Sequence, residues 1–140
     1  RYDPDRMAFD RELLRKFYLE RGYADFRVEN AVAELSPQHK EFFVTFTLHE
    51  GDRYKFGDVH IQSAIAELDT APLKTAVTFS PGEWYKASAL ETTVTRITDE
   101  LGNKQYAFID VRPEVKRNRD TKTIDVTFTI SEGQKTFIEN

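Results

Sequence analysis

Two segments, one in each half of the chain, carry apolar side chains at every second position. They are residues 41–49 and 123–131. Alternation with a period of two is typical of a β-strand that packs one face against a core and exposes the other. We therefore expect one buried face in each half, formed by Phe42, Val44, Phe46 and Leu48 in the first segment and by Ile124, Val126, Phe128 and Ile130 in the second.

The two segments belong to an internal repeat. The sequence VTFTLHEG, which begins at Val44, returns as VTFTISEG at Val126. Upstream of these, GYADFRV at Gly22 matches QYAFIDV at Gln105. A repeat at a domain-sized interval indicates two copies of one structural unit.

A helical pattern precedes the matching strands in the first copy. Asp3 and Pro4 favour a helix start, and Gly22 favours the end of that helix. Residues three or four apart lie on the same face of a helix. One apolar face is predicted on this basis, formed by Phe9, Leu13 and Phe17.

The second copy has a more regular helical pattern. Ser88 and Glu91 have the spacing of a capping box, and Gly102 favours a stop. Between them the apolar residues follow the helical period without interruption. The face that we expect to be buried consists of Leu90, Val94, Ile97 and Leu101.

The order of elements differs between the two copies. Each helix is followed by a predicted hairpin, with strands over 26–35 and 41–49 in the first copy and over 108–116 and 123–131 in the second. Only the second copy is preceded by a strand near 54–62 and a short helix near 72–77. We therefore expect a truncated module over 1–52, a complete strand-helix-helix-strand-strand module over 53–135, and the start of a further module over 136–140.

Composition and motifs argue against catalysis, metal binding and nucleic-acid binding. The chain has 20 Lys and Arg against 24 Asp and Glu, with the two signs interspersed, and it has no cysteine. His39, His49 and His60 lack the spacing of a metal site, so we interpret them as solvated surface residues. The carboxylates considered as an acid/base pair, Glu12, Glu20, Asp99 and Glu100, fall on polar helix faces. No phosphate-binding glycine loop is present. We expect no catalytic residue, no metal and no cofactor.

The predicted strand over 108–116 has the features of a sheet edge. Apolar residues alternate there with Asp110, Arg112, Glu114 and Lys116. Pro113 interrupts the run, and proline is tolerated in a sheet only at an edge or a bulge. Charged residues on an edge also protect it against indiscriminate pairing, and on the sequence alone this protective role is the favoured interpretation.

Three segments resemble the POTRA (polypeptide-transport-associated) repeats of the Omp85 family of outer-membrane proteins. They are FYLERGYADF at Phe17, EGDRYKF at Glu50 and PGEWY at Pro81. The resemblance covers essentially the whole chain and suggests the third and fourth repeats of that family's array. It implies an α+β fold of tandem POTRA modules, each a three-stranded mixed sheet covered by two helices, with the first module truncated. It also implies a periplasmic location in a bacterial outer-membrane protein.

The resemblance further implies that extended polypeptides pair with the edge strands of these modules by β-augmentation, which reads the backbone and tolerates many sequences. The implied partners are unfolded outer-membrane proteins, accessory assembly lipoproteins, adjoining POTRA modules and a C-terminal membrane β-barrel of the same chain, with no nucleic acid and no small-molecule substrate. The implied binding residues are Arg27, Val28, Glu29, Asn30, Ala31 and Val32 in one strand, and Asp110, Val111, Arg112, Pro113, Glu114, Val115 and Lys116 in the other.

Two alternatives remain open at this point. A two-partner secretion transporter or a TamA-like relative would keep the fold, and a periplasmic enzyme or small-ligand domain would belong to another class.

The chain departs from the family pattern at Gln105, where glycine is usual, and at Ser63 and Ala64, where a Gly-Asn turn is common. Trp84 and Tyr85 precede a helix and are predicted to pack in the core.

Overall fold

The computed structural model describes residues 4–38 and 40–133. Its contacts divide the chain into two compact units. Unit 1 comprises Arg1–Tyr54 together with Tyr85–Ala87, and unit 2 comprises Lys55–Trp84 together with Ser88–Asn140. The start of a further module that we expected over 136–140 lies outside the described residues.

Unit 1 contains one helix and one hairpin. Helix α1 spans Pro4–Leu19, strand β1 spans Arg27–Leu35, and strand β2 spans Phe42–His49. The two strands form an antiparallel two-stranded sheet. The chain leaves α1 through Gly22, whose φ of +94° lies in the region that glycine adopts without strain. The predicted role of Gly22 in ending this helix is therefore confirmed.

An aromatic cluster joins α1 to the residues that precede β1. The ring of Tyr18 stacks on that of Phe26, with ring centroids 4.3 Å apart. The Tyr18 hydroxyl donates a hydrogen bond to Glu50 at 3.2 Å. Burial, followed by this hydrogen bond, raises the pKa of Tyr18. Nearby, the hydroxyl of the buried Tyr54 donates to Asp25 Oδ2 at 2.6 Å.

The apolar faces of unit 1 are only partly covered. Phe9 is 61% exposed, and Leu13 and Phe17 are also exposed. On β2, Phe42 is exposed and the other three alternating residues are half-buried, so the predicted burial of Phe42 is wrong. The reason is that α1 covers this face only in part, because a cleft remains between them. A cleft of about 640 Å³ separates α1 from β2, and its lining includes Leu13, Leu14, Phe17, Val44 and Phe46.

Unit 2 contains a three-stranded mixed sheet with two helices. In chain order it comprises β3 (Lys55–Ser63), a short 3-10 helix (Ala71–Ala76), helix α2 (Ser88–Asn103), β4 (Ile109–Asn118) and β5 (Thr123–Glu132). The strands lie in the order β3-β5-β4. Strand β3 runs parallel to β5, and β4 runs antiparallel to it. The predicted α+β fold with a mixed sheet is confirmed.

Strand β5 is the centre of the core in unit 2. Its residues Ile124, Val126, Phe128 and Ile130 are all buried, as the alternation predicts. Phe79, which follows the 3-10 helix, stacks on Phe56 of β3 with ring centroids 3.9 Å apart. The apolar face of the sheet is thus filled from β3 and β5 together.

Helix α2 buries a face that differs from the predicted one at one position. Ile97 is fully buried, but Thr93 is buried where Val94 was expected, and Val94 is only half-buried. Thr93 tolerates burial because its hydroxyl accepts the backbone N–H of Thr78 at 3.2 Å. Helix α2 runs past Gly102, so the predicted stop at that residue is wrong.

Gln105 provides the end of α2. It adopts a φ of +68°, and the N–H of Tyr106 donates to the carbonyl of Leu101 at 3.0 Å. In the first copy, the N–H of Tyr23 donates to the carbonyl of Tyr18 at 3.1 Å. The turn is therefore formed with glutamine in the position that glycine occupies in the first copy.

Candidate functional site

Strand β4 lies at an edge of its sheet. It pairs with β5 in a continuous register from Ile109 opposite Glu132 to Asn118 opposite Thr123. In the part of the chain that the structure describes, no strand lies on its other side. The predicted edge position is confirmed, and one row of its backbone groups is open.

Hydrogen bonds on β5 show which β4 residues point outward. The carbonyl of Ile130 accepts the N–H of Ala64 at 2.9 Å. The backbone N–H and C=O groups of the even-numbered residues of β5 therefore point toward β3. The odd-numbered residues must then face β4, because backbone groups alternate along a strand. Pro113 lies opposite the even-numbered Phe128, so the backbone nitrogen and carbonyl of Pro113 point away from β5. Its missing N–H costs the sheet no hydrogen bond.

The same alternation defines the groups that β4 offers to a partner. Val111, Pro113 and Val115 turn their backbone groups outward, and of these only Val111 and Val115 have an N–H to donate. All three present a carbonyl oxygen. An added strand could form a ladder here with one donor missing at its centre.

The side chains of β4 are mostly in solvent. Val111 is buried, whereas Val115 is 48% exposed. Residues 112–116 are all exposed, and Asp110 is half-buried. Arg112 donates to Asp110 Oδ2 at 2.7 Å, which joins two charges on one face of the strand. The structure thus places the predicted residues of this strand along one accessible edge.

Strand β1 lies at an edge of the two-stranded sheet. It contains a bulge between Val28 and Asn30 that leaves Glu29 without a residue opposite it. Arg27 donates to Glu29 Oε1 at 3.3 Å across this bulge. A bulge interrupts the regular row of backbone groups, so the evenly spaced part of this edge begins at Asn30. Ala31 is half-buried and Val32 exposed, so part of the apolar surface of β1 is accessible.

The sequence analysis did not identify the edge on β3. The N–H of Phe56 donates to the carbonyl of Glu83 at 2.8 Å, and the N–H of Gly82 donates to the carbonyl of Phe56 at 2.9 Å. Trp84 forms an antiparallel bridge with Lys55 and is 46% exposed, so its predicted place in the core is wrong. Tyr85 is buried as predicted. The strand order of the repeat is the signal that could have indicated this edge.

The described residues contain no group of three or more His, Asp and Glu side chains arranged to hold a metal ion. His49 and His60 are exposed, and His39 lies outside the described residues. Neither α-helix in the described ranges has the length and apolar character needed to span a bilayer.

The edges and the module fold define a class of protein. The family model of the POTRA domain, described as a surface antigen variable number repeat, matches residues 1–51 and again residues 54–133. The chain belongs to the POTRA family.

Individual relatives are outer-membrane assembly factors. The chain is 28% identical over 137 residues to the outer membrane protein assembly factor BamA of Neisseria meningitidis, covering 98% of this chain and 17% of the relative. It is 27% identical over 134 residues to BamA of Neorickettsia risticii, covering 96% of this chain and 18% of that relative. A crystal structure of POTRA3-5 of Haemophilus influenzae BamA has the same fold, with a TM-score of 0.77 at 19% identity, and covers 96% of this chain and 53% of that one.

Proposed function

We propose that this chain is a non-catalytic, periplasmic polypeptide-binding and scaffolding segment of the machinery that folds and inserts β-barrel proteins into the bacterial outer membrane. Membership of the POTRA family and similarity to BamA support this proposal. Its partners are unfolded outer-membrane proteins, accessory assembly lipoproteins, adjoining POTRA modules and a C-terminal membrane β-barrel of the same chain. It requires no cofactor.

We further propose that residues 1–52 are the C-terminal part of one module and that residues 53–135 are a complete one. The contrast between the two copies supports this assignment. Phe128 is fully buried, whereas its counterpart Phe46 is only half-buried. In unit 2 the ring of Phe79, which follows the 3-10 helix, lies 6.2 Å from that of Phe128 and stacks on Phe56 of β3. The first copy has no counterpart of β3 or of the 3-10 helix among the described residues. A preceding strand and helix of the parent protein would cover the open face of β2.

The open edge of β4 is the observation on which the binding mechanism depends. Backbone donors at Val111 and Val115 and the carbonyls beside them are arranged as in any edge strand, so they accept an extended chain of almost any sequence. The gap at Pro113 weakens this pairing. Weak, sequence-tolerant binding is the behaviour that a client-handling surface requires, because each client must be released.

A titration followed by NMR tests this proposal. An unstructured peptide from a strand of an outer-membrane β-barrel is added to the 15N-labelled chain. The amide signals of Val111 and Val115 are expected to shift, with those of residues 30–35 on β1 responding in the same way. A peptide N-methylated at two consecutive central residues is the matched control, because each of its two hydrogen-bonding edges then lacks a donor. The proposal is wrong if the amide signals of both β4 and β1 stay unchanged while signals elsewhere shift.

A further inference from the structure

The free edge of β3 borders a cleft. The cleft has a volume of about 520 Å³ and lies between β3 and the segment that carries the 3-10 helix. Its lining combines apolar side chains with one cation, and includes Val59, Ile61, Val77, Phe79, Pro81 and Lys74. A backbone edge beside such a cleft can read side chains as well as backbone.

The register of β3 determines which of its groups are open. The N–H of Ala64 donates to β5, and so does that of Asp58, which binds Asp125 Oδ1 at 2.7 Å. The intervening residues of opposite parity, Val59 and Ile61, therefore turn their backbone groups away from β5. No described strand pairs with β3 on that side.

The first residues of the β3 edge are already paired with another segment of the same chain. Phe56 exchanges both of its outward backbone bonds with Gly82 and Glu83, in an antiparallel arrangement. The pairing stops at Pro81, which has no N–H to donate and instead lines the cleft. An added strand would continue along β3 where this internal pairing ends.

We propose that the β3 edge and its cleft form a second polypeptide site, selective for an extended segment with an apolar side chain followed two residues later by a carboxylate. This inference rests on the proposed polypeptide-binding function. Residues two apart lie on the same face of a strand, so both side chains of such a segment point toward the cleft. The apolar side chain packs among Val59, Val77 and Phe79. The carboxylate faces Lys74, which is exposed and has no ion-pair partner among the described residues.

Charge complementarity makes the site testable with defined peptides. The probe is the blocked peptide acetyl-Ser-Thr-Leu-Thr-Glu-Thr-Ser-amide, added to the 15N-labelled chain of 140 residues. Its matched controls are the peptide with serine in place of leucine and the peptide with lysine in place of glutamate. The probe is expected to shift the amide signals of Val59 and Ile61 at lower concentration than either control does.

A charge reversal at Lys74 distinguishes recognition by this residue from nonspecific peptide binding. In Lys74→Glu, affinity for the probe is expected to fall about three- to tenfold, and affinity for the lysine peptide to rise by a similar factor, as expected for an exposed ion pair turned into a repulsion. Lys74 is exposed, so the fold of this variant is preserved and its spectrum outside the cleft serves as the check.

The outcomes distinguish this inference from the proposed function. If the peptides shift β4 or β1 signals but leave Val59 and Ile61 unchanged, the second site does not exist and the proposed function stands. If Lys74→Glu binds the probe and the lysine peptide as the parent does, the selectivity is wrong. If no edge responds to any peptide, both proposals fail.

Discussion

The two helix-ending turns of the repeat allow one prediction with an internal control. Gly22 and Gln105 occupy equivalent positions and have φ values of +94° and +68°. An L side chain in the left-handed region costs about 1–2 kcal/mol. Adding a side chain at position 22 and removing the one at position 105 should therefore change the free energy of unfolding in opposite directions.

Gly22→Ala is expected to destabilise unit 1 by about 2–4 kcal/mol. A Cβ at this position would lie 3.0 Å from the carbonyl oxygen of Tyr54 and 3.1 Å from Cγ of Arg53. The Tyr54 backbone cannot yield easily, because its N–H donates to Gly22 and its carbonyl accepts from Tyr85. The steric cost therefore adds to the backbone strain, and only the reduced entropy of the unfolded chain offsets it.

Gln105→Gly is expected to stabilise unit 2 by about 0.5–1 kcal/mol, because the relief of strain exceeds the entropy cost of glycine. Urea unfolding measures both variants, with the amide signals of β1 and β2 reporting on one unit and those of β3 to β5 on the other. A loss of about 3 kcal/mol lowers the midpoint by at least about 1 M. A Gly22→Ala chain as stable as the parent, or a Gln105→Gly chain less stable than it, would refute this reasoning.

Two further predictions compare matched positions. Ile97→Asp buries an unpaired charge and should cost at least about 3 kcal/mol in a thermal melt, whereas Val94→Asp, at a half-buried position, should cost clearly less; equal losses would contradict the assigned helix face. Phe128→Ala should cost about 3–5 kcal/mol in urea unfolding, and Phe46→Ala a smaller amount because its ring is already partly in solvent; a larger loss at Phe46 would contradict the contrast between the two copies.

Periodicity predicted which face of a strand is apolar, but it could not predict whether that face is covered. Phe46 and Phe128 have the same alternation around them, but Phe128 is buried beside the ring of Phe79, which follows the 3-10 helix, with ring centroids 6.2 Å apart. Such cover comes from other parts of a chain. A strand's own pattern contains no information about it.

Buried polar residues with hydrogen-bond partners are a second feature that the sequence pattern does not predict. Thr93 was missed on α2 because its burial depends on hydrogen bonds to Thr78, which precedes the helix in sequence. Pro113, by contrast, predicted the β4 edge correctly, because the missing N–H of proline restricts it to few positions in any sheet. The β3 edge was missed because it follows from the strand order β3-β5-β4, and no pattern within β3 itself indicates it.

Site-specific photocrosslinking in the intact parent protein tests the central claim most directly. A photoreactive residue is placed at Val115, on the outward row of β4, and in a matched control at Thr121, which is exposed in the β4–β5 turn but lies off the edge. We predict that, during outer-membrane assembly, Val115 crosslinks to client polypeptides and Thr121 does so rarely. Equal crosslinking at both positions, or crosslinking at Thr121 alone, would contradict polypeptide binding at the β4 edge.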